Sequence, residues 1–173
     1  EYNKGIRKNI ANDEPVIGTY NVSSRGSGSD MYYKGANMLH TIRHSINNDS
    51  LFRQMLRQMG EVYYHKTVTT NDVERFMNDK LGTDFSSVFT QYLRTTQVPV
   101  LEFYTKKNKI YFRYTECIKG FNLPLTLFAP NGDTKKIFPK EAWQSINTFD
   151  NWEQYFSKEQ IEMLYYIKVV NKM

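Results

Sequence analysis

The apolar pattern of this chain changes period once, and the change sits at Thr95-Thr96-Gln97-Val98-Pro99. Before it, apolar residues recur three and four apart, the spacing of amphipathic helices. After it they alternate, as in Val100-Leu101-Glu102-Phe103-Tyr104 and Ile110-Tyr111-Phe112-Arg113-Tyr114, the spacing of half-buried strands. A chain in that order is constrained to an α+β fold, helices first and sheet second. The expected division is a helical unit over residues 1–97 and a small β-rich unit over residues 98–173.

The clearest helix follows Asp84, where Phe85, Val88, Phe89, Tyr92 and Leu93 fall on one face. Another begins at Thr69-Thr70-Asn71, turns Val73, Phe76, Met77 and Leu81 inward, and stops at Gly82. A third is capped by Asp49 or Ser50, buries Leu51, Phe52, Met55, Leu56 and Met59, and stops at Gly60. The first full helix follows the glycine- and serine-rich loop Ser23–Ser29 and opens at Asp30, a residue suited to N-capping. Its expected buried stripe is Tyr32, Gly35/Ala36, Leu39, Ile42 and Ile46, which turns Tyr32 inward. Lys34 is expected to reach solvent or an acidic partner, and Gly35 to admit another backbone. Residues 1–12 read as the end of a helix broken before Pro15, so the chain is expected to be a piece of something longer.

In the second half, Lys106–Lys109 joins the two alternating runs as a hairpin. Leu123–Phe128 reads as a third strand, Pro130-Asn131-Gly132-Asp133 as a turn, and Lys135–Phe138 as a fourth strand. Trp143–Phe156 is ambiguous, and Leu164–Val170 reads as a closing strand.

With 40% hydrophobic and 15% aromatic residues, the 173-residue chain is folded rather than disordered. Its net charge of +5 invites a nucleic-acid partner. The surplus is spread over both halves, however, and the densest cluster, Lys106-Lys107-Asn108-Lys109, is a turn, so nucleic acid is not an expected partner. Cys117 is alone, which excludes an intramolecular disulfide. No apolar run approaches the roughly 18 residues of a membrane helix.

Most motifs that carry chemistry are incomplete. His40 and His44 stand four apart like two zinc ligands on a helix, but Thr41 occupies the place where H-E-x-x-H has its glutamate. A structural, partly exposed pair is expected. His65 has no ligand spacing. Cys117 has no histidine partner and is expected to be a structural thiol. Ser27 lies outside any G-x-S-x-G elbow, and Gly26 and Gly28 make no phosphate loop. No metal ligand is therefore assigned in this chain.

Tyr32-Tyr33-Lys34-Gly35-Ala36, with the apolar helical run behind it, resembles the helix after the zinc site in aminopeptidase N-like zinc metallopeptidases of the gluzincin type. Thr67-Val68-Thr69-Thr70-Asn71-Asp72-Val73 is similar to a helix start further along in that family. The likeness covers the first hundred residues well and the rest loosely, and Tyr33 stands where the family more often has a charged residue. The resemblance implies the helical C-terminal half of a thermolysin-like catalytic domain, followed by a small β-sandwich-like domain. It implies that Tyr32 is the catalytic tyrosine. A phenol, with a reference pKa of about 10, stays protonated at neutral pH and can donate to the oxyanion of a tetrahedral intermediate. The full-length parent would take a peptide substrate and hold zinc through ligands upstream of this chain, and the fragment alone is expected to be inactive. Against that stand a tyrosine merely packed in a helix's first turn and, for the whole chain, a non-catalytic binding or scaffold module with a similar helical pattern. An upstream H-E-x-x-H would separate these.

Overall fold

A computed structural model describes residues 5–18, 28–148 and 151–172. Among the described residues a 3-10 turn at Arg7–Asn9 and four α-helices precede the strands: α1 (Asp30–Ile46), α2 (Asp49–Val62), α3 (Thr70–Leu81) and α4 (Ser86–Arg94). Most of the Ser23–Ser29 loop lies outside the described residues.

Side chains at the helix ends explain where these helices start and stop. Asn48, rather than Asp49 or Ser50, caps α2 by accepting the Leu51 N–H at 3.0 Å. Thr69 and Asp72 form a reciprocal capping box at the start of α3. Gly82 ends α3 at φ +62°, a conformation open to glycine and strained for most other residues. Gly60 does not stop α2, which runs on to Val62. A single glycine inside a helix costs only about 1 kcal/mol, too little to outweigh the buried face of Phe52 and Met55.

Strands β1 (Val100–Lys106) and β2 (Lys109–Thr115) form the expected hairpin, paired antiparallel from Val100↔Thr115 to Lys106↔Lys109. Strand β5 (Gln144–Asn147) pairs antiparallel with β2. Strand β6 (Lys168–Asn171) lies parallel to β1, giving the order β5-β2-β1-β6. Strands β3 (Leu125–Phe128) and β4 (Thr134–Ile137) form a separate hairpin around Gly132 at φ +89°. The third strand thus starts after Pro124, which has no N–H to give a ladder. The ambiguous Trp143–Phe156 resolves into β5 and a 3-10 turn at Trp152–Tyr155. A short helix, α5 (Lys158–Leu164), was not expected; Ser157 caps it by accepting the Gln160 N–H. The closing strand is accordingly shorter than its sequence suggests.

Helices and sheet share one hydrophobic cluster running from Met38 to Val169. It takes in Phe85, Phe89 and Tyr92 from α4 and Leu101, Phe103, Ile110 and Phe112 from the sheet. Buried tyrosines are hydrogen-bonded: the Tyr92 hydroxyl donates to the Tyr166 carbonyl at 2.7 Å and that of Tyr114 to the Leu123 carbonyl at 3.0 Å. On the sheet's other face, Glu102 accepts from Arg113 and Lys172 at 2.9 and 2.6 Å. Burial would raise its pKa, but those two cations hold it below the usual carboxylate value. Among the described residues no helix is long and apolar enough to cross a membrane.

Candidate functional site

Helix α1 does not bury the stripe its apolar residues suggested. Its buried positions include Asp30, Lys34, Asn37, Thr41 and Ser45, together with Met38 and Ile42. The polar five recur at helical spacing, so they form one seam down the helix. Tyr32 is 71% exposed and Leu39 36% exposed, which corrects the inward register expected for both. Lys34, expected to reach solvent or an acidic partner, is fully buried and bonded to a backbone carbonyl.

Four of the five buried polar groups have a partner that accounts for their burial, while the Ser45 hydroxyl has none among the described residues. Asp30 is the first residue of α1 rather than its N-cap, and Ser29 in the cap position makes no side-chain cap bond. The Asp30 carboxylate instead accepts the backbone N–H groups of Ala11 and Asn12 at 2.8 and 2.7 Å. Lys34 Nζ donates to the Thr95 carbonyl at 2.7 Å. Asn37 accepts from Arg7 Nε at 2.7 Å and donates to the Tyr33 carbonyl at 2.9 Å. Thr41 Oγ1 accepts the Tyr166 N–H at 2.8 Å. The helix therefore clamps three remote pieces of backbone, and its Tyr32 side chain stays exposed, with Met31 and Leu39 only partly covered.

Lys34 meets a particular feature of α4. The last carbonyls of a helix lack partners within it and carry partial negative charge. Here the Leu93 carbonyl accepts the Ile17 N–H at 2.8 Å, the Gln91 carbonyl accepts the Thr95 hydroxyl at 2.6 Å, and the Thr95 carbonyl takes the ammonium. Burial pulls the Lys34 pKa down from its ordinary value, and the nearby Asp30 charge opposes that. Gly35 has nothing within 4 Å of where a Cβ would stand, so no backbone approaches it among the described residues and the expected close approach is corrected.

The other candidates stay apart from this turn. His40 and His44 pack edge to face, ring centroids 4.3 Å apart, both half-buried. Burial first, and the His44 charge second, push the His40 pKa down to about 4. Burial lowers His44 as well. His65 occupies a positive-φ turn against the Tyr64 ring. Cys117 is half-buried just beyond β2, and burial, then Glu141 and Glu116, pushes its thiol up to about 11, which makes it a poor nucleophile at neutral pH. Among the described residues no three His, Cys, Asp or Glu side chains converge to hold a metal ion. A cavity of about 770 Å³ beside Gly5, Pro130, Gln154, Gln160 and Met163 contains none of the candidate site residues read from the sequence.

Tyr32 is thus an exposed phenol held out from a firmly clamped turn. Sequence reasoning placed Tyr32 in that turn but missed Asp30 and Lys34 as its supports. Their signal is present in retrospect as the polar spacing 30, 34, 37, 41, 45.

No family model matches the chain, and no curated protein does. Among solved structures it is similar to the crystal structure of Legionella pneumophila aminopeptidase A in complex with aspartic acid. The TM-score is 0.61 and the identity 12%, over 99% of this chain and 22% of that one. The likeness is one of fold, and the chain spans about a fifth of that protein's length.

Proposed function

We propose that this chain is the C-terminal part of an aminopeptidase N-like zinc metallopeptidase, with Tyr32 as its oxyanion-stabilising donor. On this reading residues 1–97 are the helical remainder of a thermolysin-like catalytic domain, and residues 98–173 a small β-sandwich-like domain behind it. The observation that carries the reading is Tyr32 itself, 71% exposed on a turn whose flanking residues are buried and bonded. The fold shared with an aminopeptidase supports it.

On this reading the zinc ligands belong to residues upstream of this chain, as the resemblance implies. Bound there, the metal supplies Lewis-acid chemistry at the scissile carbonyl. This chain's own contribution is narrower. When water adds to a peptide carbonyl, the carbonyl oxygen gains negative charge. A phenol O–H aimed at that oxygen donates more strongly to it than to the ground-state carbonyl and so lowers the barrier. Because the turn is fixed before substrate arrives, little reorganisation is needed when the charge appears.

In the longer enzyme, Tyr32→Phe is expected to lower kcat by about a hundredfold or more while KM moves far less. Phe keeps the ring, so thermal melting should shift little. Tyr33→Phe serves as the control, with near-normal turnover. The isolated chain should neither hydrolyse aminoacyl anilides nor retain stoichiometric zinc. Unchanged kcat in Tyr32→Phe, with zinc still bound, would remove the oxyanion role.

A further inference from the structure

Asp30 and Lys34 are sealed from solvent, at 3% and 0% exposure, on a helix whose neighbouring face is open. Burying a charge is costly unless strong partners offset it, so the partners show what the burial achieves. Asp30 reaches one way, to two backbone N–H groups of the segment at Ala11 and Asn12. Lys34 reaches another way, to the Thr95 carbonyl at the end of α4. The two residues are one turn apart, and Tyr32 lies between them in sequence. From this geometry we infer that Lys34 is a positioning residue: its ammonium locks the first turn of α1 onto the carboxyl end of α4, and so fixes where the Tyr32 phenol is delivered. The inference rests on reading Tyr32 as the oxyanion donor.

An apolar side chain at position 34 would fill the same space but would not fix the same place. Dispersion contacts are non-directional and let a helix slide or rotate by fractions of an ångström. A charge-assisted bond to one carbonyl, in a dry site, has a single good geometry. Displacement of a catalytic group by about 1 Å can cost a hundredfold in rate. The lysine is also matched to its acceptor, because an ammonium bonds a buried carbonyl oxygen more strongly than a neutral amide does, and a methionine offers no donor at all.

The test is a two-by-two kinetic cycle in the longer enzyme, using Tyr32→Phe, Lys34→Met and the double variant. Lys34→Met is expected to lower kcat at least about tenfold with KM within about twofold. It should add nothing further when Tyr32 is already Phe. An equal loss in both backgrounds, or no loss, overturns positioning through Tyr32 while leaving the proposed function standing. A silent Tyr32→Phe withdraws the proposed function itself, and the inference with it. Hydrogen exchange on the unsubstituted chain keeps the inference testable even where Lys34→Met does not fold. The amides of Tyr32 and Tyr33 should exchange through the same opening, with the same denaturant dependence, as those of Leu93 and Arg94. Independent openings would show that Lys34 does not couple the two elements.

Discussion

Helices α1 and α4 pack against each other and bury different proportions of polar and apolar side chains. Helix α4 buries Val88, Phe89 and Tyr92, with Phe85 at its start, in the common core, and one polar side chain, Gln91, which accepts the Ile118 N–H at 2.7 Å. Helix α1 buries a carboxylate, an ammonium, a carboxamide and two hydroxyls beside Met38 and Ile42, and leaves Tyr32 exposed with Met31 and Leu39 only partly covered. The two arrangements do different work. Apolar burial stabilises roughly in proportion to area and tolerates small shifts. A seam of hydrogen bonds to remote backbone adds less net stability per contact but fixes position and rotation. Helix α4 thus holds the molecule together, and α1 holds a side chain out from it.

The comparison can be broken by substitution. Phe89→Ala should destabilise the chain by about 3–5 kcal/mol, because a large ring leaves a cavity in a packed site. Leu39→Ala should cost under about 1 kcal/mol, since its side chain is already partly wet. Urea unfolding measures both, and a larger loss at Leu39 than at Phe89 would invert the assignment.

A smaller effect comes from His40 on α1. Its folded-state pKa of about 4 lies below the ordinary value of 6.5, chiefly through burial and then through His44. As pH falls through 6.5 the unfolded chain takes up a proton that the folded chain resists, so stability declines between about 6.5 and 4 and levels off below. Half-exposure of the ring reduces the size of this effect. His40→Gln should flatten that part of the profile, read from urea midpoints at several pH values. An unchanged slope would place the titration elsewhere.

The smallest expected change is a gain. Gly35→Ala should stabilise the chain by about 0.5–1 kcal/mol, since nothing within 4 Å meets the new methyl group and alanine favours the helix. Destabilisation in thermal melting would mean that something does approach α1 at this point.

These contrasts also explain what could be read from the residues. Helix α4, the β1–β2 hairpin and the start of α3 at Thr69-Thr70-Asn71 were legible, because there the chemistry of each side chain matches its burial or its bond. Helix α1 was located correctly and oriented wrongly. Its buried groups are polar, and an apolar-period reading assigns such groups to the surface. Helix α5 is two turns long, too short for the period to show. The place of Tyr32 in a first turn followed from the loop before it and the pattern behind it. What braces that turn did not, because the partners of Asp30 and Lys34 are the N–H groups of Ala11 and Asn12 and the carbonyl of Thr95. Main-chain atoms are the same in every residue and leave no mark in a sequence.

The parallel pairing of β6 with β1 sets an order of events in folding. Helices α2 and α3 and the first hairpin can form from neighbouring residues as soon as those residues exist. The seam of α1 cannot close so early: the amide that Thr41 receives belongs to Tyr166, 125 residues later. Strand β1 likewise keeps an open edge until Lys168–Asn171 arrives beside it. Closing contacts over such separations is slow, because the intervening chain must be confined before the contacts repay it. A ribosome making this stretch would therefore expose a half-built sheet and an incompletely braced α1 until residues 166–171 had been added.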